Sequence, residues 1–288
     1  MAEEITSLET AQKKFLDFLQ DRNRASATIL AYGKDIEQLV AFLARKQIAQ
    51  PGSVSQELVE GFKTSLAEKK YTPKSVSRKL NSVKTFFRFL KASGSIKDDP
   101  ASLVTHPKYE IKPPRILTKM EYRALRDSAR DDPRMSAVIE LLLQTGMRIG
   151  ELARLELADF KEKEIQIKPF ESHSARKIPL NKAAKNALER YLKVRTKSRT
   201  KNVFLTKTGR PLLIRNIRTA IDRYFRLAGI KNAKVNDLRH TFIAHQLMTG
   251  ASVVLVSRLA GHKRLSTTEK YLDLVKEKVE ERVKLEEL

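Results

Sequence analysis

Four of the ten prolines in this 288-residue chain fall between Pro100 and Pro114, in a stretch without apolar periodicity. Proline lacks a backbone donor and clashes with the preceding helical turn, so no regular helix is expected to run through such a segment. The proline run divides the chain into two parts, each long enough to bury its own core. Residues 1–95 are expected to form an N-terminal helical domain and 96–115 a linker. Residues 116–274 are expected to form a second domain, and 275–288 a C-terminal tail helix.

Helical spacing dominates the first part. Phe15, Leu16, Phe18 and Leu19 mark one amphipathic stripe, opened by a capping-box spacing at Thr6 and Glu9. Tyr32, Ile36, Leu39, Val40 and Leu43 mark a second, and Leu58, Val59, Phe62 and Leu66 a third. The fourth begins at Thr72-Pro73, a cap followed by a proline at the first helical position, and continues through Val76, Leu80, Val83, Phe86, Phe87 and Leu90.

In the second part, residues 136–143 read as a buried helix closed by Gly146, and Arg148 stands at the exposed start of the next helix. Ile165 and Ile167, then Ile178 and Leu180, alternate as two strands of an antiparallel hairpin, with residues 203–205 a third short strand. Residues 214–228, 238–248 and 253–259 return to helix. The expected fold is mainly α: an all-α N-terminal bundle and a largely α C-terminal domain with a small antiparallel β-sheet.

Charge narrows the partners. Lys and Arg number 57 against 34 Asp and Glu, a net charge of +23 spread along the chain. This is the electrostatic footprint of a protein that neutralises many phosphates. A membrane-surface protein would need an amphipathic anchor or lipidation signal, and neither is expected here. No apolar run reaches the roughly 20 residues of a membrane span, so a cytoplasmic, nucleoid-associated protein is expected. With no Cys, disulfides, thiolate zinc sites and thiol nucleophiles are excluded together. The non-apolar positions of the fourth helix carry Lys74, Arg78, Lys79, Lys84 and Arg88, which read either as a DNA-contacting face or as an ordinary solvated one.

Tyr271, nine positions after His262, and two arginines far upstream, Arg148 and Arg239, carry the chemistry. Breaking a phosphodiester without metal requires fixed positive charge around the pentacoordinate phosphorus, and a planar guanidinium fork matches two phosphate oxygens. A phenol, with an intrinsic pKa of about 10, is a workable nucleophile if its proton has an acceptor nearby. His262 is a candidate either for that acceptor or for a hydrogen bond to the phosphate. The acidic residues do not cluster as metal ligands, and no Gly-rich phosphate loop is present, so neither a metal nor a cofactor is expected.

These residues resemble the motifs of the tyrosine recombinases, or phage integrases, and among them the compact Xer-like members. Thr145-Gly-Met-Arg148-Ile-Gly-Glu-Leu152 is similar to the family's first arginine box, and Leu238-Arg239-His240-Thr-Phe242 to the second. Leu259-Ala-Gly-His262 with Ser266-Thr-Thr-Glu-Lys-Tyr271 is similar to the last. The resemblance implies a site-specific recombinase that cuts and rejoins double-stranded DNA through a 3′-phosphotyrosine. Arg148 and Arg239 would clamp the phosphate, His262 would assist and Tyr271 would attack. It further implies a core-binding role for residues 1–95 and a homotetramer on two DNA sites, coupled by exchange of the C-terminal helix. Glu151 would support its helix or orient Arg148.

Two departures touch proton transfer. Asn236 stands where the family usually has a histidine three residues before the second arginine; it donates a hydrogen bond to phosphate but exchanges no proton. The family's hairpin lysine, a general acid, falls in register on Glu171, so Lys168 is the expected substitute, with His173 and Lys177 behind it. These departures leave open a catalytically weakened DNA-binding protein of the same fold. A type IB topoisomerase is a further alternative.

Overall fold

The computed structural model describes residues 7–171 and 173–280, with side chains described as far as Val275. It resolves into two compact units, residues 1–111 and 112–288. It is mostly helical with one two-stranded antiparallel sheet. Among the described residues, no helix is long and apolar enough to cross a membrane.

The first unit contains α1 (Leu8–Asp21), α2 (Ser26–Ala44), α3 (Gln56–Glu68) and α4 (Pro73–Ala92). The cap of α1 is Ser7, whose hydroxyl accepts the Thr10 backbone N–H at 3.1 Å. The expected Thr6 cap lies outside the described residues. Thr72 caps α4 through the Ser75 N–H, with Pro73 in the first turn. Phe15, Phe86 and Phe87 are fully buried, and the Phe15 and Phe86 rings meet edge-on with centroids 5.4 Å apart.

Among the described residues of this bundle, one carboxylate is buried. Asp35 of α2 accepts both Arg78 Nη atoms, at 2.7 and 2.9 Å, Lys79 Nζ at 2.9 Å and Ser82 Oγ at 2.7 Å, all from α4. Burial opposes its ionisation, but these bonds outweigh that and hold its pKa below the usual carboxylate range. Lys79 is only 6% exposed, so it is not part of the solvated basic face on which its sequence position put it. Lys74 and Arg88 are exposed. Arg78 is half-exposed but committed to Asp35, and Lys84 donates to the Ser102 carbonyl.

The second unit opens with α5 (Lys119–Ser128), held by a Thr118/Glu121 capping box, and α6 (Pro133–Thr145). Residues 135–143 and Thr145 of α6 are buried, which makes it the central helix. Gly146 ends α6 at φ +60°, and a Cβ there would stand 2.2 Å from the Phe242 ring, so both conformation and space demand glycine. Then come α7 (Ile149–Arg154), β1 (Glu164–Ile167), β2 (Arg176–Pro179), α8 (Lys182–Val194) and α9 (Ile214–Leu227). The unit closes with α10 (Val235–Met248), α11 (Val253–Ala260) and α12 (Ser266–Glu280). β1 pairs with β2 from Glu164↔Pro179 to Ile167↔Arg176.

Three expectations change. Residues 203–205 form no third strand. The Val203 N–H goes to the Leu155 carbonyl, and the Tyr191 hydroxyl both donates to the Val203 carbonyl and accepts the Leu205 N–H. The rest of the pairing is confined to isolated bridges, Asn202 with Glu156 and Leu205 with Pro211. Helix α10 begins three residues earlier than its apolar pattern suggested, because the Asp237 carboxylate accepts the Lys234 N–H at 2.8 Å. Asn236 is therefore in the first helical turn. Helix α12 continues unbroken past residue 275 to Glu280, while the tail positions Val283 and Leu288 lie outside the described residues.

Candidate active site

The C-terminus of α11 organises the site. Its last carbonyls have no helical partner and form the negative end of the helix dipole. Arg176 Nε donates to the Leu259 carbonyl at 2.7 Å, Arg239 Nη2 to Ala260 at 2.7 Å and Arg148 Nη2 to Gly261 at 2.7 Å. Three guanidinium groups from β2, α10 and the start of α7 thus dock on three consecutive carbonyls. Gly261 turns the chain at φ +67°.

A single carboxylate, Glu151, ties Arg176 and Arg148 together. Glu151 Oε1 and Oε2 accept Arg176 Nη1 and Nη2 at 2.8 and 2.7 Å, a bidentate fork. Glu151 also accepts the Arg148 backbone N–H at 2.8 Å and Arg148 Nη1 at 3.0 Å. Burial works against the Glu151 charge, but the Arg176 bonds, the Arg176 charge and Arg148 overcome it, bringing its pKa to about 2. Three guanidinium charges against one buried carboxylate leave a positive site.

Arg239 is 6% exposed and donates also to the Gly146 carbonyl at 2.5 Å. Burial, then the charge of Arg148, lower its pKa to about 10, which still leaves it charged at neutral pH. His262 follows Gly261, with Nδ1 2.7 Å from the buried Thr268 hydroxyl. Burial and then Arg239, Arg148 and Arg176 push its pKa down to about 4, so it is a neutral ring facing cations.

Tyr271, on the inner face of α12, is 5% exposed. Burial raises its pKa, and Arg239 partly offsets the rise. Its hydroxyl stands 2.5 Å from His240 Nδ1, and the carboxamide of Asn236 is 2.8 Å from His240 Nε2. A cleft of about 520 Å³ opens beside Arg239, with Met147, Ile149, Arg218 and Asn236 in its lining.

The hairpin contributes less directly. Lys168 Nζ lies 2.5 Å from Glu156 and 3.3 Å from Asp159, and these partners raise its pKa, Glu156 foremost. Glu171 sits in the turn at φ +50°. Lys177 pairs with Glu164 at 2.9 Å. His173 carries a buried Nδ1 without a partner, and its pKa is lowered by burial and then by Arg148. Among the described residues, no group of three or more His, Cys, Asp or Glu is arranged to hold a metal ion.

The sequence motifs single out neither Arg176 nor His240 as a site residue. The adjacency of His240 to Arg239 offered a signal for the second. The bidentate match of Arg176 to a residue 25 positions away offered none.

The sequence profile of the phage integrase family matches residues 115–278, and that of the phage integrase N-terminal SAM-like domain matches residues 13–94. A tyrosine recombinase XerC from Roseiflexus castenholzii is 31% identical over 90% of this chain and 87% of its own length. A tyrosine recombinase XerC from Anoxybacillus flavithermus is 32% identical over 91% and 92%. Among solved structures, the Tn1549 transposon integrase in complex with transposon right-end DNA covers 96% of this chain and 99% of its own, with a TM-score of 0.77 at 19% identity. A lambda integrase dimer bound to a COC′ core site covers 91% and 97%, with a TM-score of 0.74 at 17% identity. At these identities the likeness to the two structures is one of fold.

Proposed function

The chain belongs to the phage integrase family of tyrosine recombinases, and from that membership we propose the roles of its individual residues in site-specific DNA recombination. Arg148 and Arg239 grip the scissile phosphate of double-stranded DNA, exchanging bonds to the α11 carbonyls for bonds to phosphate oxygens. His262 contacts the phosphate from a third side, and Tyr271 attacks phosphorus to give a 3′-phosphotyrosine. The covalent link conserves the bond energy, so a free 5′-hydroxyl from another strand reseals the backbone without ATP. Lys168 leaves its pair with Glu156 to protonate the departing 5′-oxygen. Asn236 acts from the first turn of α10.

One observation supports this reading most: the Arg148 and Arg239 forks sit on adjacent carbonyls, Gly261 and Ala260, immediately before His262. Fixed guanidinium groups of this kind contribute several kcal/mol to a phosphorane-like transition state. Residues 1–95 engage the duplex as a core-binding domain, joined by 96–115 to the catalytic residues 116–274. Lys74, Arg78, Lys84 and Arg88 contact backbone phosphates, and Lys79 acts only by placing α4 against Asp35. Four copies assemble on two DNA sites through the C-terminal helix, in the cytoplasm at the nucleoid.

The test is a nicked suicide substrate incubated with the protein in chelator. A covalent protein–DNA adduct on a denaturing gel is expected, and Tyr271→Phe should abolish it. An adduct that survives Tyr271→Phe would overturn the nucleophile assignment. Lys168→Ala should slow adduct formation and recover on a 5′-bridging phosphorothiolate, whose leaving thiolate needs no proton. Failure to recover would remove Lys168 from the acid role.

A further inference from the structure

We propose that Asn236, His240 and Tyr271 form a proton relay, in which His240 Nδ1 takes the phenolic proton of Tyr271 as it attacks and Asn236 orients the ring. This deepens the reading that Tyr271 is the nucleophile and rests on it. The carrying observation is an unbroken hydrogen-bonded chain. Tyr271 Oη stands 2.5 Å from His240 Nδ1, and the Asn236 carboxamide stands 2.8 Å from Nε2. Its Asn236–His240 link is built within one helix, because the two lie four residues apart on α10, and Tyr271 joins it from α12.

His262 is placed for other work. Its Nδ1 is engaged by the Thr268 hydroxyl at 2.7 Å, and its ring faces the three arginines, where a phosphate oxygen is the complementary partner. His240 instead touches the reacting oxygen itself. The titratable and charged groups facing it are Asp237 and Arg239 on its own helix, Tyr271 on α12 and His262 after α11. Burial, with Arg239 against Asp237, keeps the ring below the ordinary histidine pKa and so neutral, able to accept a proton at physiological pH.

The orientation of the Asn236 carboxamide sets the tautomer of His240. With Asn236 Nδ2 toward Nε2, as placed, a neutral ring carries its proton on Nδ1. A half-turn of the carboxamide presents Oδ1 at the same site, moves the ring proton to Nε2 and turns the Nδ1 lone pair to the phenol. The second arrangement is the one that reacts. In it the Tyr271 Oη–P bond forms while the phenolic proton passes to His240 Nδ1. The P–O5′ bond breaks with its electron pair on the 5′-oxygen, which takes a proton from Lys168. On resealing, every transfer reverses and the imidazolium returns its proton to Tyr271. His240 is thus a catalytic residue and Asn236 a positioning residue.

The test is single-turnover adduct formation on nicked DNA carrying either an ordinary phosphate or a 5′-bridging phosphorothiolate. His240→Asn and His240→Gln should each slow cleavage by about 10²-fold on both substrates, the scale of a lost general base. Both should lose the increase in rate with pH, while DNA affinity stays unchanged. Asn236→Ala should slow cleavage about tenfold, a fraction of the general-base contribution, and shift the pH midpoint rather than erase it. Full recovery of the His240 variants on the phosphorothiolate would move His240 to the leaving-group side and overturn the relay. An unaltered rate in either variant would do the same. In the unaltered protein bound to uncleaved DNA, nitrogen NMR shifts should show Nδ1 of His240 unprotonated, and an Nδ1-protonated neutral ring would overturn the relay without recourse to any variant. The two readings separate cleanly: no adduct from the unaltered protein sinks the phosphotyrosine reading, whereas fast adduct formation by His240 variants sinks only the relay.

Discussion

At Gly261 a Cβ would stand 2.9 Å from Arg176 Nη1, on a backbone at φ +67° that other residues adopt with strain. Gly261→Ala is expected to displace the Arg176 fork and, through Glu151, Arg148. A misplacement of about 1 Å costs on the order of 10²-fold in rate, so single-turnover cleavage should fall by that scale while DNA binding persists. Glu151 gives a second prediction. Its folded pKa of about 2 lies below the ordinary 4.5, so its contribution to stability is fully present above pH 4.5 and is lost as pH falls from 4.5 toward 2. The lost contribution is about 3 kcal/mol, and Glu151→Gln should flatten that limb of the acid-unfolding curve. An unchanged limb in the variant would show that other carboxylates govern it.

The α2–α4 pair illustrates the same logic at the scale of an element. Asp35→Ala leaves the Lys79 ammonium buried without its carboxylate, and removing one partner of a buried pair costs about 3–5 kcal/mol. Thermal or denaturant unfolding should show that loss in the first unit, and a loss below about 1 kcal/mol, the scale of an exposed ion pair, would mean the pair is effectively solvated. This pair also shows where sequence reading stops. The four helices of the first unit are legible because each carries apolar residues at helical spacing, Phe15 and Leu19, Leu39 and Leu43, Phe62 and Leu66, Phe86 and Leu90. That Lys79 turns inward depends on Asp35, a residue 44 positions away, and no local pattern reports it. The site divides in the same way. Arg148, Arg239, His262 and Tyr271 are picked out by short local motifs, and the structure brings the arginines to one helix end. The Arg176–Glu151 fork and the His240–Tyr271 contact join residues 25 and 31 positions apart, and they become visible only once the chain is folded. The third strand is reduced to isolated bridges, Asn202 with Glu156 and Leu205 with Pro211, while the Tyr191 hydroxyl takes the Val203 carbonyl and the Leu205 N–H between them.

At the scale of the whole molecule, a net charge of +23 makes association with DNA chiefly a release of counterions. Affinity should fall steeply and linearly in log–log form with salt. Replacing Lys74 or Arg88, both exposed on α4, with Ala should each reduce the slope by about one. An unchanged slope would remove that face from the interface. Whole-molecule chemistry converges on one covalent event, which can be read directly by mass spectrometry of peptides from the trapped protein–DNA adduct. A nucleotide attached through its 3′-phosphate to Tyr271, and to no other residue, is expected. A 5′-phosphate linkage, or attachment at another side chain, would contradict this expectation.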